Sequence, residues 1–62
     1  MIKIGGLVKW VWSRNSSWFA IVLDDQEEED EYGTVGILVL WVTGKYIGGE
    51  EFIPAEELEV IA

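Results

Sequence analysis

Apolar residues occur along the chain in short runs whose spacing is typical of β-strands rather than of helices. The runs are rich in β-branched and aromatic residues and are separated by glycines or by polar segments such as 13–17. The pattern predicts five strands, the fourth broken by a glycine pair: 7–12, 18–23, 34–43, 45–53 and 59–61. Pro54, followed by two acidic residues and a leucine, predicts a helical turn at 54–58, just before the last strand.

Five short strands with one helical turn before the last are the element order of small SH3-like barrels. Closing a sheet into a barrel pairs its edges and encloses one core, which suits a chain of 62 residues that forms one domain, 1–62. An open meander is the alternative, but it would leave one face of the sheet uncovered. The sequence therefore predicts an all-β fold, a single five-stranded SH3-like barrel.

Four segments carry a resemblance to a known family: IGGLVKW at 4–10, AIVL at 20–23, VLW at 39–41 with Gly44 behind it, and ELEVI at 57–61. Together they resemble small SH3-like or Sm-like β-barrel proteins of marine T4-like cyanophages. The chain departs from the family pattern at Gly6, where the opening motif usually has Asp. The resemblance implies a phage-encoded barrel located in the cytoplasm of the infected host cell or in the virion.

Strand alternation assigns each apolar side chain to one of two faces of the sheet. One face is predicted to form the interior: Val8, Trp10, Ala20, Val22, Ile37, Val39, Trp41, Leu58 and Val60. Six further apolar side chains would point outward from two neighbouring strands: Phe19, Ile21, Leu23, Leu38, Leu40 and Val42. Large exposed apolar patches usually mark interfaces, so these six are the candidate interface of a homo-oligomer or of a contact with another protein. The alternative is that a curled barrel or the 13–17 loop covers part of the patch.

Charge is concentrated in one segment of the chain. Twelve acidic and four basic residues give a net charge of −8, and seven of the acids fall in eight positions of the loop predicted at 24–33: Asp24, Asp25, Glu27, Glu28, Glu29, Asp30 and Glu31. Adjacent like charges cannot be buried, so this acidic loop is predicted to be solvated. Weak association with Ca²⁺ or Mg²⁺, docking on a basic partner and mimicry of nucleic-acid phosphates remain open alternatives.

Composition also restricts the function. The chain has no His and no Cys, so its serines lack the usual activating base and thiolate chemistry is absent. We expect neither an enzyme nor a metal or cofactor site. The acidic balance argues against direct binding of nucleic acid, and the uncharged stretch 33–44 is too short to span a membrane.

Aromatic residues at predicted strand ends offer one more binding site. Trp12, Trp18, Tyr32 and Tyr46 could form a cage for a cationic group, or could simply close the core. The favoured hypothesis is a noncatalytic protein-interaction or structural assembly module, phage-encoded and oligomeric. The alternative is an acidic adaptor or nucleic-acid mimic that docks on a basic site of a host protein through residues 24–31.

Overall fold

The fold is all-β in a computed structural model that describes residues 2–12, 18–33 and 35–62. The predicted loop 13–17 and Thr34, the first residue of the predicted third strand, lie outside the described residues. The strands are β1 Leu7–Trp10, β2 Phe19–Val22, β3 Glu28–Glu29, β4 Val35–Trp41, β5 Glu50–Ile53 and β6 Leu58–Val60. A 3-10 turn at Ala55–Glu57 follows Pro54 and joins β5 to β6, as the sequence predicted.

All strand pairs of the sheet are antiparallel, in the order β3-β4-β2-β1-β6, and β5 also pairs with β4. β1 is therefore held between β2 and β6, while β4 pairs with β2, β3 and β5. Leu7 pairs with Ile21, and Ile21 pairs with Leu40. This register aligns the side chains of β1, β2 and β4 in rows across the sheet.

The core lies on the face that alternation assigned to the interior. Its buried members are Val8, Ala20, Val22, Ile37, Val39, Trp41, Ile53 and Leu58. Seven predicted interior residues are thus confirmed, and Trp10 is half-buried and packs against the cluster. Val60 was wrongly placed inside: its side chain is 44% exposed, because β6 is the last strand of the sheet among the described residues. Ile53 was missed, although its pairing with Ile37 carries it into the core.

Six strands are present among the described residues instead of the five predicted. The additional strand, β3, lies within the acidic segment, where residue type alone argues against a strand. The chain reverses after β3 because the Asp30 carboxylate accepts a hydrogen bond from the backbone N–H of Tyr32 at 2.9 Å, and Gly33 adopts a φ of 82°. Glu28 then pairs with Gly36, and Glu29 with Val35.

The predicted fourth strand is also shorter than expected. Its first half, 45–47, belongs to the turn that links β4 to β5. Gly44 and Gly48 have φ values of 89° and 85°, and the N–H of Gly48 donates to the Trp41 carbonyl at 2.9 Å. These left-handed positions reverse the chain, so only Glu50–Ile53 is free to pair with β4.

Candidate functional site

The candidate interface residues lie together on the face of the sheet opposite the core. Ile21 pairs directly with Leu40, and the N–H groups of Leu23 and Val42 donate to the carbonyls of Leu38 and Phe19. Pairing places two further apolar side chains in the same surface, since Leu7 lies beside Ile21 and Phe52 beside Leu38. We call these eight side chains the outer face: Leu7, Phe19, Ile21, Leu23, Leu38, Leu40, Val42 and Phe52.

The outer face is partly accessible to solvent throughout. Its centre is half-buried by neighbouring side chains, whereas Leu23 and Val42 at its ends are 36% and 39% exposed. No cavity opens among the residues that the structure describes. The sequence analysis did not include Leu7 and Phe52 in the candidate interface. Strand alternation could have found them, because Leu7 lies on the same side of β1 as Lys9, and Phe52 lies on the side of β5 opposite Ile53.

Charged residues border the outer face on two sides. Lys9 pairs with Phe19 on one side and with Glu59 on the other. Glu50 pairs with Leu40 and ends the central row of apolar side chains. An apolar surface bordered by charged residues is the usual anatomy of a protein–protein contact.

The acidic residues form a second exposed feature, the acidic hairpin, which comprises residues 24–33 and includes β3. Asp24 accepts a hydrogen bond from the backbone N–H of Gln26 at 3.0 Å, which shapes the entry of the hairpin. The pKa of Glu28 is raised above its ordinary value by a side-chain hydrogen bond with Asp24 and by the repulsion between the two carboxyl groups. No cluster of three or more potential metal ligands occurs in the described ranges.

Aromatic rings gather at the end of the sheet farthest from the acidic hairpin. The Trp18 ring centroid lies 5.6 Å from that of Trp10, 5.7 Å from that of Trp41 and 5.6 Å from that of Tyr46. Gly44 packs against this cluster so closely that a Cβ added there would lie 2.8 Å from the Trp18 indole. These contacts favour the core-closing role over an open cage.

Carboxylates accept hydrogen bonds from two of the three indole N–H groups of this aromatic cluster. Trp10 Nε1 donates to Glu57 Oε1 at 3.1 Å, and Trp41 Nε1 donates to Glu51 Oε1 at 3.0 Å. Two of the four residues considered for a cage, Trp12 and Tyr32, lie outside the cluster, with exposures of 64% and 85%. Sequence reasoning therefore brought Trp18 and Tyr46 together correctly but did not identify the residues that surround them.

The fold and these surfaces define a small all-β protein with an apolar outer face and an acidic hairpin. Comparisons with protein-family models, with curated proteins and with solved structures found no match. Across the described part of the chain, no helix has the length and apolar character needed to cross a membrane.

Proposed function

We propose that the protein is a noncatalytic interaction or assembly module that associates with other copies of itself through the outer face. The observation that carries this proposal is the contiguity of eight apolar side chains on the solvent side of β1, β2, β4 and β5. Covering apolar surface contributes about 25 cal/mol per Å², so burying this face against a partner is strongly favourable for so small a protein.

Chain length supports the same proposal. A domain of about 60 residues buries only about 60% of the surface that its unfolded chain exposes, and it is marginally stable without a further stabilising element. The sequence contains no Cys for a disulfide. A second chain that covers the outer face supplies the missing burial.

The finer fold that we propose is an SH3-like barrel. It is supported by the central position of β1 between β2 and β6, by the pairing of β4 with β2 and β5, and by the 3-10 turn before the last strand. The motif resemblance to cyanophage barrels supports a phage origin, with the protein acting in the infected host cell or within the virion.

Size-exclusion chromatography with light scattering tests the self-association. We expect a mass above 7.0 kDa at high micromolar concentration, and Leu40→Glu should reduce it to that of the monomer without unfolding the chain. Val60→Glu is the control outside the outer face, since Val60 is 44% exposed and pairs with Val8 on the core side of the sheet. A wild-type protein that stays monomeric would contradict the proposal, and an unfolded Leu40→Glu variant would show that Leu40 belongs to the core.

A second candidate function is that of an acidic adaptor, favoured by the seven carboxyl groups of the acidic hairpin. Replacing residues 27–30 by Ser and Gly should abolish capture of a basic protein, and wild-type capture should weaken as salt is raised. Replacing Glu56 and Glu59 by Ser, in a region away from the hairpin, is the control. Capture that survives the 27–30 replacement would discard this function.

A further inference from the structure

β5 forms an open edge of the sheet, since β4 is its one strand partner among the described residues. Just before β5, the Gly49 carbonyl accepts a hydrogen bond from the N–H of Trp41 at 3.0 Å. Bonded and non-bonded positions alternate along an antiparallel pair, so the next residue, Glu50, does not bond to β4, and neither does Phe52. The backbone N–H and C=O groups of Glu50 and Phe52 therefore point away from β4.

Unpaired backbone groups on an edge strand are a template for an extended segment of another chain. An antiparallel segment can exchange both of its backbone hydrogen bonds with Glu50 and both with Phe52, which gives four bonds in all. The segment's residue between these two pairs lies opposite Glu51. Three consecutive residues of the added strand are thus matched to three residues of β5.

The charge around this edge determines which segment fits it. Glu50 and Glu51 are exposed, and residues 45–62 include five acidic residues and one basic residue. Opposite charges on neighbouring strands stabilise their pairing, and like charges destabilise it. A second copy of the chain fits poorly, because each strand with a single partner carries glutamate: Glu28 and Glu29 in β3, Glu50 and Glu51 in β5, and Glu59 in β6.

We propose that the free edge of β5 binds an extended basic segment of another protein as an added antiparallel strand. The residue opposite Phe52 is apolar, because its side chain continues the outer face. The next two residues, opposite Glu51 and Glu50, are Lys or Arg. The segment therefore reads apolar-basic-basic from its N-terminal end, and its binding does not depend on self-association through the outer face.

An amide NMR titration of the full chain with a capped peptide, Thr-Thr-Val-Lys-Lys-Thr-Thr, tests the proposal. The amide signals of Glu50 and Phe52 should shift most and exchange their protons more slowly, because these N–H groups gain acceptors. The amide of Glu51 should shift less, because it already bonds to β4. Largest shifts in the acidic hairpin, or no binding at millimolar peptide, would overturn the proposal.

Two N-methylated peptides test the backbone pairing without any change in the protein. Methylation of the valine nitrogen removes a donor that faces β5, so the affinity should fall about tenfold or more. Methylation of the first lysine nitrogen, which faces away from β5, should change the affinity less than about threefold. Equal losses from the two methylations would show that the peptide is not an added strand.

Two charge reversals test the choice of a basic segment. Glu50→Lys should weaken binding about tenfold, because an attractive cross-strand pair becomes repulsive. Glu27→Lys is the matched control, an equal charge change at an exposed position of the acidic hairpin. The hairpin pairs at Gly36, four residues along β4 from the partner of Glu50, which is about 14 Å and beyond the Debye length of about 8 Å.

We expect Glu27→Lys to change the affinity less than about threefold, with circular dichroism showing both variants folded. An equal or larger effect of Glu27→Lys would overturn the β5 site and would place basic segments on the acidic hairpin instead.

Discussion

Gly36 allows β5 to approach β4, and a single added methyl group tests how tightly the two strands pack. A Cβ on residue 36 would lie 2.6 Å from the backbone carbon of Ile53 and 2.7 Å from its backbone nitrogen and oxygen. Backbone atoms cannot move aside as a flexible side chain can, so β5 must shift along its whole contact with β4. Overpacking of this kind typically costs about 1–3 kcal/mol, and we expect Gly36→Ala at the upper end of that range.

The expected loss is large against the stability of the whole domain. At about 0.05–0.15 kcal/mol per residue, a chain of 62 residues has about 3–9 kcal/mol of unfolding free energy. Displacing β5 also moves Phe52, which pairs with Leu38 in the outer face. We therefore expect Gly36→Ala to weaken self-association as well as folding.

Urea denaturation followed by tryptophan fluorescence measures the change in unfolding free energy. Gly5→Ala is the matched control: a Cβ there meets nothing within 4 Å, but the φ of 82° costs about 1 kcal/mol for a residue with a side chain. The comparison separates steric contact from backbone strain. If Gly36→Ala is no less stable than Gly5→Ala, the close approach of β5 does not determine stability and the reasoning is refuted.

Two further predictions concern carboxylates. Glu51→Ala should lower the unfolding free energy by about 1–3 kcal/mol in a urea titration, because Trp41 is buried and its Nε1 loses its hydrogen-bond acceptor. The neighbouring Glu50→Ala is the control and should change stability little. Equal losses in the two variants would argue against a role for this hydrogen bond. The raised pKa of Glu28 means that the folded state favours the protonated carboxyl group. The ionised Glu28 therefore destabilises the fold at neutral pH, and this destabilisation disappears as pH falls through the folded pKa. Glu28→Gln should therefore raise the melting temperature at pH 7 and have no such benefit at a pH below the ordinary range of Glu, while a benefit that grows in acid would contradict this sign.

Alternation was the most informative feature of the sequence. It assigned Val8, Val22 and Val39 to the core because side chains in a strand point to opposite faces, whatever the details of the fold. The same alternation placed Ile21 and Leu40 on the opposite face, where the register makes them neighbours.

Features that depend on tertiary context could not be predicted in the same way. β3 forms because the turn at Asp30 and Gly33 brings Glu28 to Gly36, although acidic residues disfavour strands. Val60 has the alternation of a core residue, but its exposure follows from the edge position of β6. The need for glycine at residue 36 appears only when β5 lies against it.

The aromatic cluster joins parts of the chain that are far apart in sequence. Trp10, Trp18, Trp41 and Tyr46 come from β1, from the residue before β2, from the end of β4 and from the turn that follows. Their rings can meet only after all these segments have come together, and closely packed indoles give a strong near-ultraviolet circular dichroism signal. The protein thus contains an intrinsic spectroscopic reporter of complete folding, at the end of the sheet away from the acidic hairpin.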